Sequence, residues 1–296
     1  MRISFKQLAL FVATAQCENI TQAAEKVYLS QPAASMTLHA LETQLNTPLF
    51  HRQGKKLTLN SAGKKLFPKA MILLDQLKEI KNLFESEKSL SGDLNLTAST
   101  TIGNYLIPKL IEKFKTHFPE VNIRLNIANT KTIIQNLQNF EADIGFIEAY
   151  FPTPNLLIKP FMIDQLLLFA GATHPLANKK AIYLQDLKNA LWVIREPGSG
   201  TREITEKYFS SVLKSENIYT ELNTSEAIIN LVKEGSSISC LSQLALQNAL
   251  SSKKISALAY KTKKITRPFY QLIHKEKHQS DLIKLFLGYL EKEIKN

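Results

Sequence analysis

Three short turns carry the chemistry that this sequence offers to a small ligand. They are Ser99-Thr100-Thr101-Ile102-Gly103, Asn129-Thr130-Lys131-Thr132 and Glu196-Pro197-Gly198-Ser199-Gly200-Thr201-Arg202. Each leads from a strand pattern into a helix pattern. A helix N-terminus presents unpaired N–H groups and a partial positive charge, so it holds an anion without a lysine. Gly198 and Gly200 let the backbone come close, the hydroxyls add donors, and Arg202 offers charge or a two-pronged contact. Candidate ligand residues are therefore Ser99, Thr100, Thr101, Asn129, Thr130, Glu196, Gly198, Ser199, Gly200, Thr201 and Arg202. Any one of these turns also reads as an ordinary cap; three placed alike point to a cleft at the carboxyl ends of strands. Glu148, just past an apolar strand, either lines that cleft and selects protonated or cation-bearing ligands or is simply solvated, and the second reading is preferred. No G-x-x-x-x-G-K-[ST] loop, no G-x-S-x-G elbow and no metal-ligand spacing occurs, so the chain reads as a binder and not as an enzyme.

A second chemistry lies between Cys17 and Arg52. Thr21 is placed to cap a short helix, Gln22 to Val27, and Leu29-Ser30-Gln31 breaks it. Ser30 then suits an N-cap, with Pro32 in the first turn, where its missing N–H costs nothing. From Ala33 to Leu45 the apolar residues Ala34, Leu38, Leu41 and Leu45 share one helical face. The other face carries Gln31, Ser35, Thr37, His39 and Thr43, small or polar residues that let a backbone approach base edges in a major groove. A helix from Ser4 to Ala15 supplies Phe5, Leu8, Phe11, Val12 and Ala15 to close the small core. Phe50 and Leu57-Thr58-Leu59 flank a hairpin tip at Gly54, whose Lys55 and Lys56 suit phosphate contacts.

The ordered set Ala23-Ala24, Leu29-Ser30-Gln31-Pro32-Ala33-Ala34-Ser35, Leu41-Glu42, Leu49-Phe50, Arg52, Leu57-Thr58 and Ala62-Gly63 resembles the winged helix-turn-helix of LysR-type transcriptional regulators. The resemblance covers the whole chain. It implies an α/β protein with a mostly helical winged helix-turn-helix domain in front and a two-lobed, periplasmic-binding-protein-like effector domain behind. It places Gln31, Pro32, Ala33, Ser35 and Met36 toward the groove and Arg52 on phosphates, beside the Thr21, Ser30, Lys55 and Lys56 read from residue type. Two positions depart from the family pattern: Asn46 stands where Gly is usual and Met36 where Arg is frequent. The hydroxyl turns and the Glu196–Arg202 run are similar to the branch that regulates sulfur assimilation, sulfite response and carbon fixation. That likeness implies a small anionic effector, with sulfite, sulfate and a phosphorylated metabolite left open, and no cofactor. Implied partners are double-stranded DNA, further copies of the chain as a dimer and tetramer, and RNA polymerase.

The elements that must position these residues follow from composition and pattern. The chain has 296 residues, 44% of them hydrophobic, and a net charge of +11, which favours a polyanionic partner. Nine of its Lys and Arg residues against three acids fall within 1–70. The predicted parts are a DNA-binding domain at 1–60, a linker and dimerisation helix at 61–88 and a hinge at 89–93. Lobe I takes 94–163 and 268–296, and lobe II takes 164–267. Leu66, Ala70, Leu73, Leu77, Ile80 and Phe84 are spaced as a heptad seam, which predicts pairing with a second copy. Ile102–His117 reads as one helix, and Leu156–Phe161 and Leu166–Gly171 as two strands at a crossing. Cys17 and Cys240 are far apart and do not read as a disulfide, and Cys17 reads as a core thiol. No leader pattern or run of 18 apolar residues occurs, which predicts a cytoplasmic protein without membrane contact.

Overall fold

The computed structural model describes residues 3–54, 56–82, 91–261 and 264–295. Its front part holds helices Phe5–Cys17 (α1), Ile20–Lys26 (α2) and Gln31–Gln44 (α3), a hairpin of Phe50–Gln53 (β1) and Lys56–Leu59 (β2), and a long helix, Ser61–Asn82 (α4). Ser4 and Gln7 form a reciprocal capping box at the start of α1. Asn19, and not Thr21, caps α2: its Oδ1 accepts from the N–H groups of Thr21 at 2.9 Å and Gln22 at 3.2 Å. The asparagine one turn earlier lets the helix begin at Ile20, which leaves Thr21 inside it and exposed. Ser30 caps α3 and Pro32 sits in its first turn. Asn46 turns the chain away at φ 50°, a left-handed angle that Asn tolerates.

Leu10, Phe11, Ala34, Leu38, Leu41, Leu49, Phe67 and Ala70 close a single core beneath these elements. Gly63 is required there, because a Cβ at that position would stand 2.2 Å from the Leu49 carbonyl oxygen. The heptad seam divides. Leu66 and Ala70 pack on this core, whereas Leu73 and Ile80 are 45% and 53% exposed. Phe84, the end of the predicted helix, Ser89-Leu90 of the predicted hinge, and Lys55 lie outside the described residues. Cys17, expected in the core, is half-exposed at the end of α1, where the helix gives way to the Asn19 cap.

The rear part runs Gly92–Ala98 (β3), Thr100–Tyr105 (α5), Ile107–His117 (α6), Val121–Ile127 (β4), Thr130–Gln138 (α7), Ile144–Ile147 (β5) and Leu156–Gly171 (β6). It continues with Leu191–Arg195 (β7), Gly200–Phe209 (α8), Ile218–Leu222 (β8), Ser225–Glu234 (α9), Ser237–Ser242 (β9) and Gln243–Ser251 (α10). Ile255–Ala257 (β10), Ile265–His274 (β11) and Asp281–Lys295 (α11) complete it. One sheet passes through both lobes in the order β4-β3-β5-β11-β6-β9-β7-β8, with β10 on β6. Strands β3, β4 and β5 are parallel at one end, as are β7, β8 and β9 at the other. Apolar cores around Phe114, Phe146 and Phe286, and around Trp192, Phe209 and Ile238, fill the two lobes.

Two elements differ from the sequence reading. The predicted helix 102–117 breaks at Leu106, because Pro108 has no N–H to give the carbonyl four residues back. The two predicted strands at 156–171 are one strand of 16 residues. Its middle, Met162–Gln165, pairs antiparallel with Phe269–Thr266 of β11, so the sheet is continuous where a break was expected. These two strands are the crossings between lobes, and Asp164 stands opposite Arg267 within them. Among the described residues, no helix is long and apolar enough to cross a membrane.

Candidate functional site

The front edge of α3 is open. Gln31 and Pro32 are exposed, Ala33 and Ser35 are half-exposed, and Met36 is 74% exposed. Gln31 Nε2 donates to Ser35 Oγ at 3.0 Å, one turn along the helix. Ser30 Oγ accepts from the Ala33 N–H at 3.4 Å. Arg52 lies exposed on β1 of the hairpin, between His51 and Gln53, which are also exposed. Lys56 is not a free cation: its Nζ lies 2.7 Å from Glu18, in a solvent-exposed pair of small energetic value.

The rear site is built where β6 and β11 cross. Arg267 is 1% exposed and stands between two buried carboxylates. Its Nη1 donates to Glu148 Oε2 at 2.6 Å and its Nε to Asp164 Oδ2 at 2.9 Å. Glu148 then gathers both lobes. It accepts from Ser99 Oγ at 2.9 Å and the Thr101 N–H at 2.9 Å in the first lobe, and from Thr201 Oγ1 at 3.1 Å in the second. Ser242 Oγ donates to Asp164 at 2.7 Å. Burial alone would push the Glu148 carboxyl up, but Arg267 and the Thr101 and Ser99 donors outweigh it and hold it down at about 2. Asp164 goes the other way: burial exceeds the pull of Arg267 and raises it.

Glu148 therefore corrects the sequence reading. It is 3% exposed, not solvated, because the N-termini of α5 and α8 and the Arg267 guanidinium converge on it. Gly200 permits this approach, since a Cβ there would come within 3.1 Å of Glu148 Cβ. Of the predicted ligand residues, Ser99, Thr101 and Thr201 meet around this internal anion. Thr100 is half-buried in the first turn of α5, and Ser199 is buried at the start of α8, a helix with no side-chain cap. Asn129 uses its carboxamide oxygen to cap α7, with Thr130 in the first turn of that helix. Glu196 is engaged by Arg195, which donates to it through Nε at 2.7 Å and Nη2 at 2.8 Å. Arg202, expected to supply charge, is itself paired with Glu206 and Glu221, each at 2.7 Å. Gly198 adopts φ 83° in the turn between them.

Sequence reasoning passed over Arg267, Asp164 and Arg195. The signal was available: each is a charged residue inside an otherwise apolar strand, which a core tolerates only when the charge is paired. Arg195 is 4% exposed, and its Nη1 is buried with no partner among the described atoms. Among the described residues no group of three His, Cys, Asp or Glu is placed to hold a metal. Cys240, with burial raising its thiol to about 12, is chemically quiet.

Comparison with known proteins places this geometry. Residues 5–64 match the family described as bacterial regulatory helix-turn-helix protein, lysR family, and residues 87–295 match the LysR substrate binding domain. The chain belongs to the LysR family. LysR-family proteins are DNA-binding transcriptional regulators with an effector-binding domain, and they are not enzymes. Two curated relatives are close in length and pattern. The "Uncharacterized HTH-type transcriptional regulator YeiE" of Escherichia coli strain K12 is 36% identical over 291 residues, covering 98% of each chain. The regulator CysL of Bacillus subtilis strain 168 is 34% identical over 253 residues, covering 85% of this chain and 84% of that one. Among solved structures, the Synechocystis PCC6803 CcmR regulatory domain in complex with 2-PG is 30% identical with a TM-score of 0.62, covering 70% of this chain and 99% of that one. In this LysR-family chain the front edge of α3 lies within the part that matches the helix-turn-helix family, and the crossing at Arg267 within the part that matches the substrate binding domain.

Proposed function

We propose that this regulator reads double-stranded DNA with Gln31, Pro32, Ala33, Ser35 and Met36 in the major groove. Thr21, Ser30, Arg52, Lys55 and Lys56 position it on the backbone. The exposed, acid-free edge of α3 supports this reading. The effector is a small anion seated between the lobes, beside Glu148 and not in its place. The supporting observations are the start of α8 at Ser199-Gly200, which has no side-chain cap and packs on Glu148 through Gly200, and Arg195 Nη1 in the preceding strand, buried with no partner among the described atoms. The anion bound by CcmR fits the same class. Sulfite, sulfate and phosphorylated metabolites are the candidates, and a melting experiment separates them. The effector raises the melting temperature in proportion to the logarithm of its concentration. Thr100→Ala and Ser199→Ala each reduce that rise without altering the melting temperature of the free protein by more than a few degrees. If none of these anions shifts the transition of the wild-type chain, the anion assignment is wrong.

The protein works in the cytoplasm as a dimer, and as a tetramer on its operator, where RNA polymerase is a further partner. The exposed Leu73 and Ile80 on α4, with half-buried Leu77 between them, support pairing of two such helices. Leu73→Asp combined with Leu77→Asp is expected to yield monomers in sedimentation velocity; a retained dimer would assign the contact elsewhere. Two reading heads so joined reach two half-sites on one side of the duplex. Closure of the lobes shifts the population of head arrangements, and with it the bend of the bound DNA.

A further inference from the structure

Among the described residues, the two most exposed large apolar side chains both stand in the helix-turn-helix: Tyr28 at 94% and Met36 at 74%. Met36 lies on α3. Tyr28 lies in the turn that joins α2 to α3, two residues before the Ser30 cap. Its φ is 56°, a left-handed angle that a bulky residue rarely holds.

The backbone of the turn explains the angle. The Tyr28 N–H donates to the Glu25 carbonyl at 3.2 Å, and the Leu29 N–H to the Ala24 carbonyl at 2.9 Å. This pair of bonds closes a helix when the residue just past its end is left-handed, a place that glycine usually fills because it has no Cβ to crowd. The turn after α3 is built in the same way. There the Asn46 N–H donates to Thr43 and the Thr47 N–H to Glu42, each at 3.1 Å, and the left-handed place goes to an asparagine, which tolerates it. A tyrosine tolerates it badly. Nor does its side chain offset the strain within the chain. Among the described residues the phenol makes no hydrogen bond and no ring contact. The apolar anchor of the turn is Leu29, which packs on the front core, so the turn does not need the ring.

We infer that Tyr28 positions the protein on DNA: its phenol hydroxyl donates to a phosphate oxygen beside the groove that α3 enters. Ser30, Gln31 and Pro32, the next exposed residues, form the leading end of α3. A long side chain standing just outside that end is placed at the edge of the groove, where the sugar-phosphate chain runs. The contact reads no base; it sets how deep and in what register α3 sits. This rests on the reading of α3 as the groove-entering helix.

The test is anisotropy titration of full-length Tyr28→Phe and Tyr28→Gly, with Gln31→Ala beside them, against a duplex of the protein's own upstream region and a random duplex of equal length. Tyr28→Phe is expected to weaken binding to both duplexes by about 3- to 10-fold, the usual effect of one lost hydrogen bond. The slope of log affinity against log salt stays unchanged, because no charge is lost. Tyr28→Gly weakens both at least as much, yet in the absence of DNA it melts a few degrees above the wild type, since the left-handed strain is gone. Wild-type affinity of Tyr28→Phe on both duplexes would overturn the inference, and so would a melting temperature of Tyr28→Gly below the wild type, which would make the residue structural. Gln31→Ala then tells whether the reading of α3 falls with it: a loss on the upstream duplex keeps that reading, and no loss removes it.

Discussion

Replacing Arg267 with methionine is expected to destabilise the effector domain by about 3–5 kcal/mol in urea denaturation at pH 7, the usual cost of stranding buried charge. Two carboxylates, Glu148 and Asp164, lose the one cation between them, and the hydroxyls of Ser99, Thr201 and Ser242 do not neutralise them. The pH dependence gives the result its signature. In the wild-type chain Glu148 titrates near 2 when folded and near the ordinary 4.5 when unfolded. Its contribution is therefore fully present above about 4.5 and is lost as the pH falls toward 2. Asp164, held above its ordinary value, opposes this in part, because its ionised form costs stability that protonation restores. Without Arg267 both carboxyls move up, so the variant gains more stability than the wild type as the pH falls from 7 toward 4. A variant as stable as wild type at pH 7, or with the same pH profile, would show that the crossing is held by packing alone.

Changing Gln31 to alanine is expected to weaken binding to the preferred operator by about 1–3 kcal/mol, on the order of 5- to 150-fold, with little effect on random duplex. The side chain opens α3 at its exposed end and is steadied by Ser35 rather than by the core, so the fold is not at risk. Arg52→Ala is the contrasting variant. It weakens operator and random duplex alike and lowers the slope of log affinity against log salt by about 1. Anisotropy titrations at several salt concentrations separate the two. Equal losses on both DNAs for Gln31→Ala would remove it from base reading.

Much of this arrangement is legible in the chain because local rules and the global fold agree. The caps at Ser4 and Ser30, the turn at Asn46, the hairpin about Gly54 and the alternation of strand and helix after Gly92 all follow from residue type and period. The exposed edge of α3 could be listed residue by residue, since one helix carries it whole. The cluster at Glu148 was harder. Its three turns are visible as turns, but Ser99, Thr101 and Thr201 meet through Glu148 and Arg267, residues 119 positions apart whose contact exists only once β5 and β11 pair. Arg202 looks like the anion's partner in sequence, and its two glutamate partners are a matter of where α8 and β8 lie. The break at Leu106 and the unbroken β6 were misread for opposite reasons. Pro108 interrupts a helical period that apolar spacing alone carries through, and pairing with β11 carries β6 through Asp164, where its apolar pattern lapses.

An anion held between the lobes is expected to alter how the α3 edges sit on DNA. A footprint of the full-length protein on its own upstream region, with and without the anion that raises its melting temperature, tests this most directly. Protection at two half-sites is expected in both states, with a change in the outer boundary or in the bend between them when the anion is added. Identical protection and an identical bend angle at saturating anion would contradict it.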